Sequence, residues 1–432
     1  MEILRIVGGN RLQGDIEISG SKNAALPQFA ATLLSQEKSI ISNVPNLSDV
    51  KFMAEILSEL GAAVTQIDYD TWEIDPANIK HIAPYQLVRK MRASVCLLGP
   101  LVGRLKKAEI PMPGGCVIGQ RPIDLHIRAL ECLGANVKLD RGIVKVDGKK
   151  LKGGQIFLGG RHGSTVTGTS NAIMAAVLAP GITRIESSAC EPEIVDLCNM
   201  LTNMNAKIYG IGSHILEIHG VKELNGCCHE VIPDRIEAAT YAIAAAMTGG
   251  EVTLKNSCYQ HLGSFLNLMQ ECGVKIELND ENQLKVSCNQ LDLKPFEIIT
   301  LPYPGFPTDL QAQTSALACV SKGISILTER VYPSRFMHVP ELMRMGANIA
   351  MEGSSCIVKG ENQLTGAPVM ASDLRASAAL ILAGLAAKGE TWVQRIYHLD
   401  RGYESFETKL QSVGASVERI AESKLPKSYF SN

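Results

Sequence analysis

The sequence contains no long hydrophobic run, no excess of charge of either sign, and neither of the short cysteine or histidine spacings that hold zinc. Each absence removes a class of protein. The longest apolar stretch, around Ala378 to Ala387, falls well short of the roughly 18 residues a membrane span needs, so no membrane association is expected. Lys and Arg number 42 against 44 Asp and Glu. No general basic field therefore draws the chain to nucleic acid, and any anion site has to come from local arrangement. Twelve cysteines are present, but they are scattered, and Cys96, Cys132, Cys198 and Cys319 fall in apolar helical patterns. Without a Cys-x-x-Cys or a His-Glu-x-x-His, they read as reduced core thiols rather than as metal ligands or a disulfide framework. The start, MEILRIVGG, lacks the basic residues and apolar core of a signal peptide, which leads to the expectation of a cytoplasmic protein.

What the 432 residues do contain is a repeat. A helix ending in Gly-Ala before a strand recurs as ELGAAV, CLGANV, NMNAKI, ECGVKI, RMGANI and SVGASV, spaced by roughly 70 residues. The third copy has Asn205 in place of glycine, and these two residues best tolerate the left-handed conformation that closes a helix. Between the copies lie helices rich in small residues, beginning at SKNAALPQFAATLL, MRASVCLLGPLVG, GTSNAIMAAVLAPG, DRIEAATYAIAAAMTGG, TDLQAQTSALACVSKG and DLRASAALILAGLAAKG. They are apolar nearly all round, which is the mark of burial. Partner helices such as VKFMAEILSELG are amphipathic and belong outside. The expected fold is α/β: six repeated units, each with one buried helix, one outer helix and several short strands, grouped as two domains of three. A solenoid is disfavoured because its repeats run from about 20 to 50 residues.

The starts of the buried helices carry charge. They open with Ser21-Lys22-Asn23, Arg92, Thr169-Ser170-Asn171, Asp234-Arg235, Thr308-Asp309 and Asp373-Leu374-Arg375. Ser, Thr and Asp cap helices, but a cation in the first turn opposes the macrodipole and calls for an anionic ligand. Arg121, Arg335 and Arg401 occupy polar turns, and guanidinium forks match carboxylate and phosphate, so a phosphorylated carboxylic acid fits as substrate. The loop PMPGGCVIGQRP places Cys116 among glycines and has the outline of a phosphate loop without its Lys and Ser or Thr.

These motifs resemble the enolpyruvyl transferases, and within them the branch whose acceptor is UDP-N-acetylglucosamine. The resemblance spans about the whole chain and rests on GSKNAALP, MRAS, PGGCVIGQRPIDLH, EPEIVD, PDRIEA, FPTDLQAQ, RFMHVPELMRMGA, DLRASAALILAG and RIYHLDRGYE in family order. It implies an inside-out α/β barrel of six repeated βαβαββ-type units in two domains, one at 22–232 carrying the Cys116 loop and a second made of 1–21 and 233–422, with a tail at 423–432. It also implies transfer of the enolpyruvyl group from phosphoenolpyruvate to the sugar, with no cofactor and no metal. The related branch acting on shikimate 3-phosphate is the alternative; it lacks the Gly-Gly-Cys loop. Carried over residue by residue, the resemblance makes Cys116 the acid that protonates the enol and Asp309 the residue that takes the sugar hydroxyl proton. Lys22 and Arg401 count as catalytic with them, and Lys22, Arg92, Arg121, Arg335, Arg375 and Arg401 form the basic cluster around phosphoenolpyruvate. Asn23, the run Arg121, Pro122, Ile123, Asp124 and Leu125, and Val331 contact the nucleotide sugar. The chain departs from the family at Leu158–Gly168, where Arg161 stands in for an expected lysine, and at Cys190, where relatives often have arginine.

Overall fold

The structure, a computed structural model, describes residues 2–114, 122–279, 281–360 and 363–424. Cys116 and Arg121 lie outside the described residues. The chain divides into two compact units, one running from Gly20 to Ile232 and the other joining the chain up to Ser19 with the chain from Pro233 onward.

The repeat is explicit in the unit from Gly20 to Ile232. Strand Gln155–Phe157 leads through helix Val166–Ala176 to strand Ile182–Glu186, then through helix Pro192–Asn203 to the hairpin Lys207–Tyr209 and Ile215–His219. Gln155–Phe157 runs parallel to Ile182–Glu186 and the hairpin pairs antiparallel to it, giving the βαβαββ order in one four-stranded sheet. A parallel pair needs a crossover, and the buried helix supplies it. The same plan recurs with helix Lys22–Thr32 under a four-stranded sheet centred on Ser39–Ser42, whereas around helix Leu98–Leu105 it is reduced to a three-stranded antiparallel sheet centred on Ile143–Asp147, with a single parallel bridge from Ile82 to Glu109 where the first strand would pair. The other unit repeats it around helices Arg235–Met247, Gln311–Val320 and Leu374–Ala386. Strands distant in sequence complete the sheets: Cys228–Glu230 pairs with Ser39–Ser42, Gln13–Glu17 with Glu251–Lys255, and Glu2–Val7 sits between Glu390–Gln394 and Ser416–Ala421.

The inner helices are buried on every side, including all thirteen residues of Arg235–Met247 and all ten of Gln311–Val320. Their small polar residues tolerate this because the hydroxyls of Thr314, Ser315 and Ser377 donate to carbonyls one turn back in the same helix. The outer helices bury one face, as in Ser48–Glu59, where Val50, Met53, Ile56 and Leu57 point inward. Gly99 shows why small residues are needed inside, since a Cβ there would stand 2.6 Å from the Asn171 carbonyl oxygen of the neighbouring inner helix.

Three local expectations are corrected. Thr169-Ser170-Asn171 does not open its helix: Thr165 caps it, accepting from the Gly168 N–H, and the three residues are buried a turn further in. Arg92 and Thr308-Asp309 precede their α-helices in short 3-10 turns, Arg92–Leu97 and Thr308–Leu310. Cys132 is an exposed thiol near the end of its helix rather than a core residue. No helix among the described residues is long and apolar enough to cross a membrane.

Candidate active site

The unit from Pro233 onward builds a cation pair around one carboxylate. Asp309, in the turn Thr308–Leu310, accepts from Arg335 Nη1 at 2.8 Å on one oxygen and from Arg375 Nη2 at 3.0 Å on the other. Both guanidinium side chains are nearly buried, at 5% and 3% exposure, while Asp309 keeps 28%. Asp373 holds Arg375 at its helix start by capping the Arg375 and Ala376 N–H groups. Arg375 lies over the ring of Tyr403 at 5.2 Å, a cation–π contact. The Tyr403 hydroxyl is fixed in turn by Thr240 and by Gln313 Nε2, each at 3.0 Å, and Gln313 also donates to the Asp309 carbonyl. Burial by itself would push the Asp309 carboxyl up, but the Arg375 and Arg335 guanidiniums hold it well below the usual carboxylate range. Burial pushes the nearby His338 down to about 4, so this imidazole is neutral at physiological pH. Arg401 ends the 3-10 segment Ile396–Arg401, whose Asp400 receives two hydrogen bonds from Arg419 at 2.7 and 3.0 Å. Val331 sits in the turn after strand Gly323–Thr328.

The unit from Gly20 to Ile232 carries the other candidates. Lys22 begins its inner helix and pairs with the buried Asp49 at 3.3 Å; Asn23 beside it is exposed. Arg92 opens the 3-10 turn that packs against this helix. Ile123 is buried at the start of helix Asp124–Cys132, with Pro122 and Asp124 exposed and Leu125 half-buried. His126, which follows them, is buried against Asn171, whose amide N–H donates to the ring Nδ1 at 2.7 Å. That bond makes Nδ1 the acceptor and leaves the Nε2–H to donate to Thr167 Oγ1 at 3.2 Å. Asn171 also donates to the Val95 carbonyl and accepts from the Gly99 N–H, so one amide ties the Pro122–Leu125 run to the Arg92 turn. Arg161 lies exposed between the short strands Gly159–Gly160 and Gly163–Ser164. Cys190 is a buried thiol beside His214 Nδ1 at 3.3 Å and so offers no cation to a substrate.

Sequence reasoning passed over Asn171, Tyr403 and Gln313 as members of the site. Each falls within a motif that the sequence marks, Asn171 in GTSNAIMAAVLAPG, Gln313 in FPTDLQAQ and Tyr403 in RIYHLDRGYE, but their hydrogen bonds join residues distant in sequence.

In one unit two nearly buried arginines converge on the Asp309 carboxylate, and in the other a lysine opens an inner helix; cations held in this way suit proteins that act on anionic substrates. Solved structures with this architecture are enolpyruvyl transferases: NikO from Streptomyces tendae aligns with a TM-score of 0.88 over 97% of this chain and 99% of that one at 24% identity, and an EPSP synthase from Acinetobacter baumannii with 0.75 over 98% and 100% at 16%. The family model described as EPSP synthase (3-phosphoshikimate 1-carboxyvinyltransferase) matches residues 6–410. Among curated relatives, a UDP-N-acetylglucosamine 1-carboxyvinyltransferase of Methylacidiphilum infernorum is 52% identical over 97% of this chain and 99% of its own, and one of Akkermansia muciniphila is 49% identical over 98% and 99%. The chain belongs to the enolpyruvyl transferase family.

Proposed function

We infer that the chain transfers the enolpyruvyl group of phosphoenolpyruvate to the 3-hydroxyl of UDP-N-acetylglucosamine and releases phosphate, the first committed step of peptidoglycan precursor synthesis. The observation that carries this reading is the identity of about half the residues, over nearly the full chain, to relatives that bear this activity in their names. The shikimate 3-phosphate enzymes share the fold at much lower identity.

Chemically, a proton delivered to the methylene carbon of the enol leaves its neighbour electrophilic. The sugar oxygen adds there as its own proton passes to a base, and the tetrahedral intermediate then loses phosphate and a methyl proton to regenerate the vinyl group. Cys116 is assigned the acid because a thiol's pKa, ordinarily near 8.5, needs only a modest shift to reach the working pH. Asp309 is assigned the base. Its ties to Arg335 and Arg375 make it a weak one until substrate anions take up guanidinium charge, so its basicity rises with phosphoenolpyruvate bound. Lys22, Arg92, Arg121, Arg335, Arg375 and Arg401 neutralise carboxylate and phosphate, and Asn23, Arg121 to Leu125 and Val331 hold the nucleotide sugar. The same reading places the enzyme in the cytoplasm with its charged, water-soluble substrates.

Phosphate release from phosphoenolpyruvate, measured with each acceptor in turn, tests the assignment. Release is expected with UDP-N-acetylglucosamine and not with shikimate 3-phosphate; the reverse pattern would overturn it.

A further inference from the structure

Glu329 is fully buried, at 0% exposure, in a turn two residues before Val331. A carboxylate in such a place is costly unless its lone pairs are used, and it can accept about four hydrogen bonds. Here four donors converge. One oxygen accepts from Thr300 Oγ1 at 2.6 Å and from the N–H groups of Val331 and Tyr332 at 2.7 and 2.8 Å. The other accepts from Thr308 Oγ1 at 2.8 Å. Because Thr308 spends its single hydroxyl hydrogen on Glu329, its lone pairs are left for Arg335 Nη1, which donates to it at 3.0 Å and to Asp309 at 2.8 Å.

We propose that Glu329 is a positioning residue for this reaction, one carboxylate setting two parts of the site. One arm fixes the Val331 turn that meets the nucleotide sugar; the other, Glu329 to Thr308 to Arg335, aims the guanidinium that holds Asp309. The proposal rests on the functional reading above, which gives Val331 and Asp309 their roles.

The two arms can be cut separately. Glu329→Gln keeps the oxygen that accepts from the turn and turns an amide N–H toward Thr308, which loses its acceptor. It lowers kcat about tenfold while the KM for UDP-N-acetylglucosamine stays within about twofold. Thr308→Val does the same, and the double variant is no worse than either single one, because both break one link. Glu329→Ala frees the turn as well and raises the KM for the nucleotide sugar about tenfold or more. Loss of folded protein would lower apparent kcat without moving KM, so kcat for Glu329→Gln and Thr308→Val is taken per folded enzyme, measured by the native circular dichroism signal, and for Glu329→Ala the rise in KM itself separates positioning from mere stability. A folded Glu329→Ala enzyme with wild-type KM values overturns the proposal. So does additivity of Glu329→Gln and Thr308→Val, the comparison that decides if the alanine variant does not fold. The wild type runs alongside in the same assay: if it releases no phosphate with UDP-N-acetylglucosamine, the functional reading fails and takes the proposal with it, whereas an active wild type with unchanged variants overturns the proposal alone.

Discussion

A carboxylate that accepts from two guanidiniums surrenders much of its basicity, and Asp309 accepts from Arg335 and Arg375 together. Its folded-state pKa is depressed, so the stability it contributes is complete above the unfolded value near 4 and is lost as pH falls toward the folded one. Asp309→Asn is therefore expected to destabilise the protein by ~2–4 kcal/mol at pH 7 in urea melts, through two nearly buried cations left facing each other. The deficit should hold at pH 5 and shrink by about 1 kcal/mol near pH 3; a deficit that grows in acid would rule out the ion pair as its source. Cys116 makes a separate prediction from chemistry alone. Cys116→Asp should retain turnover, because a carboxylic acid can deliver a proton, and Cys116→Ser should lose about a hundredfold or more. A fully active serine variant would remove the thiol from the acid's role. An epoxide such as fosfomycin should add to the Cys116 thiol, visible as a mass adduct in the wild type and absent from the aspartate variant, which forms no thioether.

The element scale is where the sequence spoke most clearly. The Gly-Ala signature closes every outer helix in the same way: Asn205 has φ +77° and Gly346 φ +90°, and the N–H of the next residue reaches back five positions, Ala206 to Leu201 and Ala347 to Leu342. Steric room is not the constraint at Gly346, where a Cβ would meet nothing nearer than Thr365 Oγ1 at 3.6 Å. Gly346→Ala should accordingly cost about 1 kcal/mol from backbone conformation alone, and Asn205→Gly should be neutral within a few tenths. Equal midpoints for Gly346→Ala and wild type in denaturant would disprove the left-handed closure as a stability element. The elements were legible because a buried helix and a helix stop each leave a local pattern. The misplaced start at Thr169 shows the limit: Thr165 and Thr169 are equally good caps by residue type, and what decides between them is which one the tertiary structure buries. The links from Asn171 to His126 and from Tyr403 to Gln313 were invisible for the same reason. They join residues 45 and 90 positions apart, and no spacing rule reaches that far.

At the scale of the whole molecule, the buried apolar residues fall into two large clusters that follow the units. One includes Leu101, Leu130 and Leu201; the other includes Leu254, Leu327 and Leu380. Each is assembled from three inner helices and their sheets, and each is closed by a strand from far along the chain. A cavity in one core removes contacts that belong to that core, so its effect should stay there. Leu130→Ala and Leu327→Ala, both at fully buried positions, should each destabilise by ~2–5 kcal/mol. Hydrogen exchange read by peptide should then rise in residues 20–232 for the first and in the rest of the chain for the second. A protein of this size with two cores need not unfold in one step, and the two variants should lower different portions of the transition. If either substitution raised exchange equally in both units, the molecule would be one cooperative body, and the clusters would be a feature of geometry without a counterpart in stability.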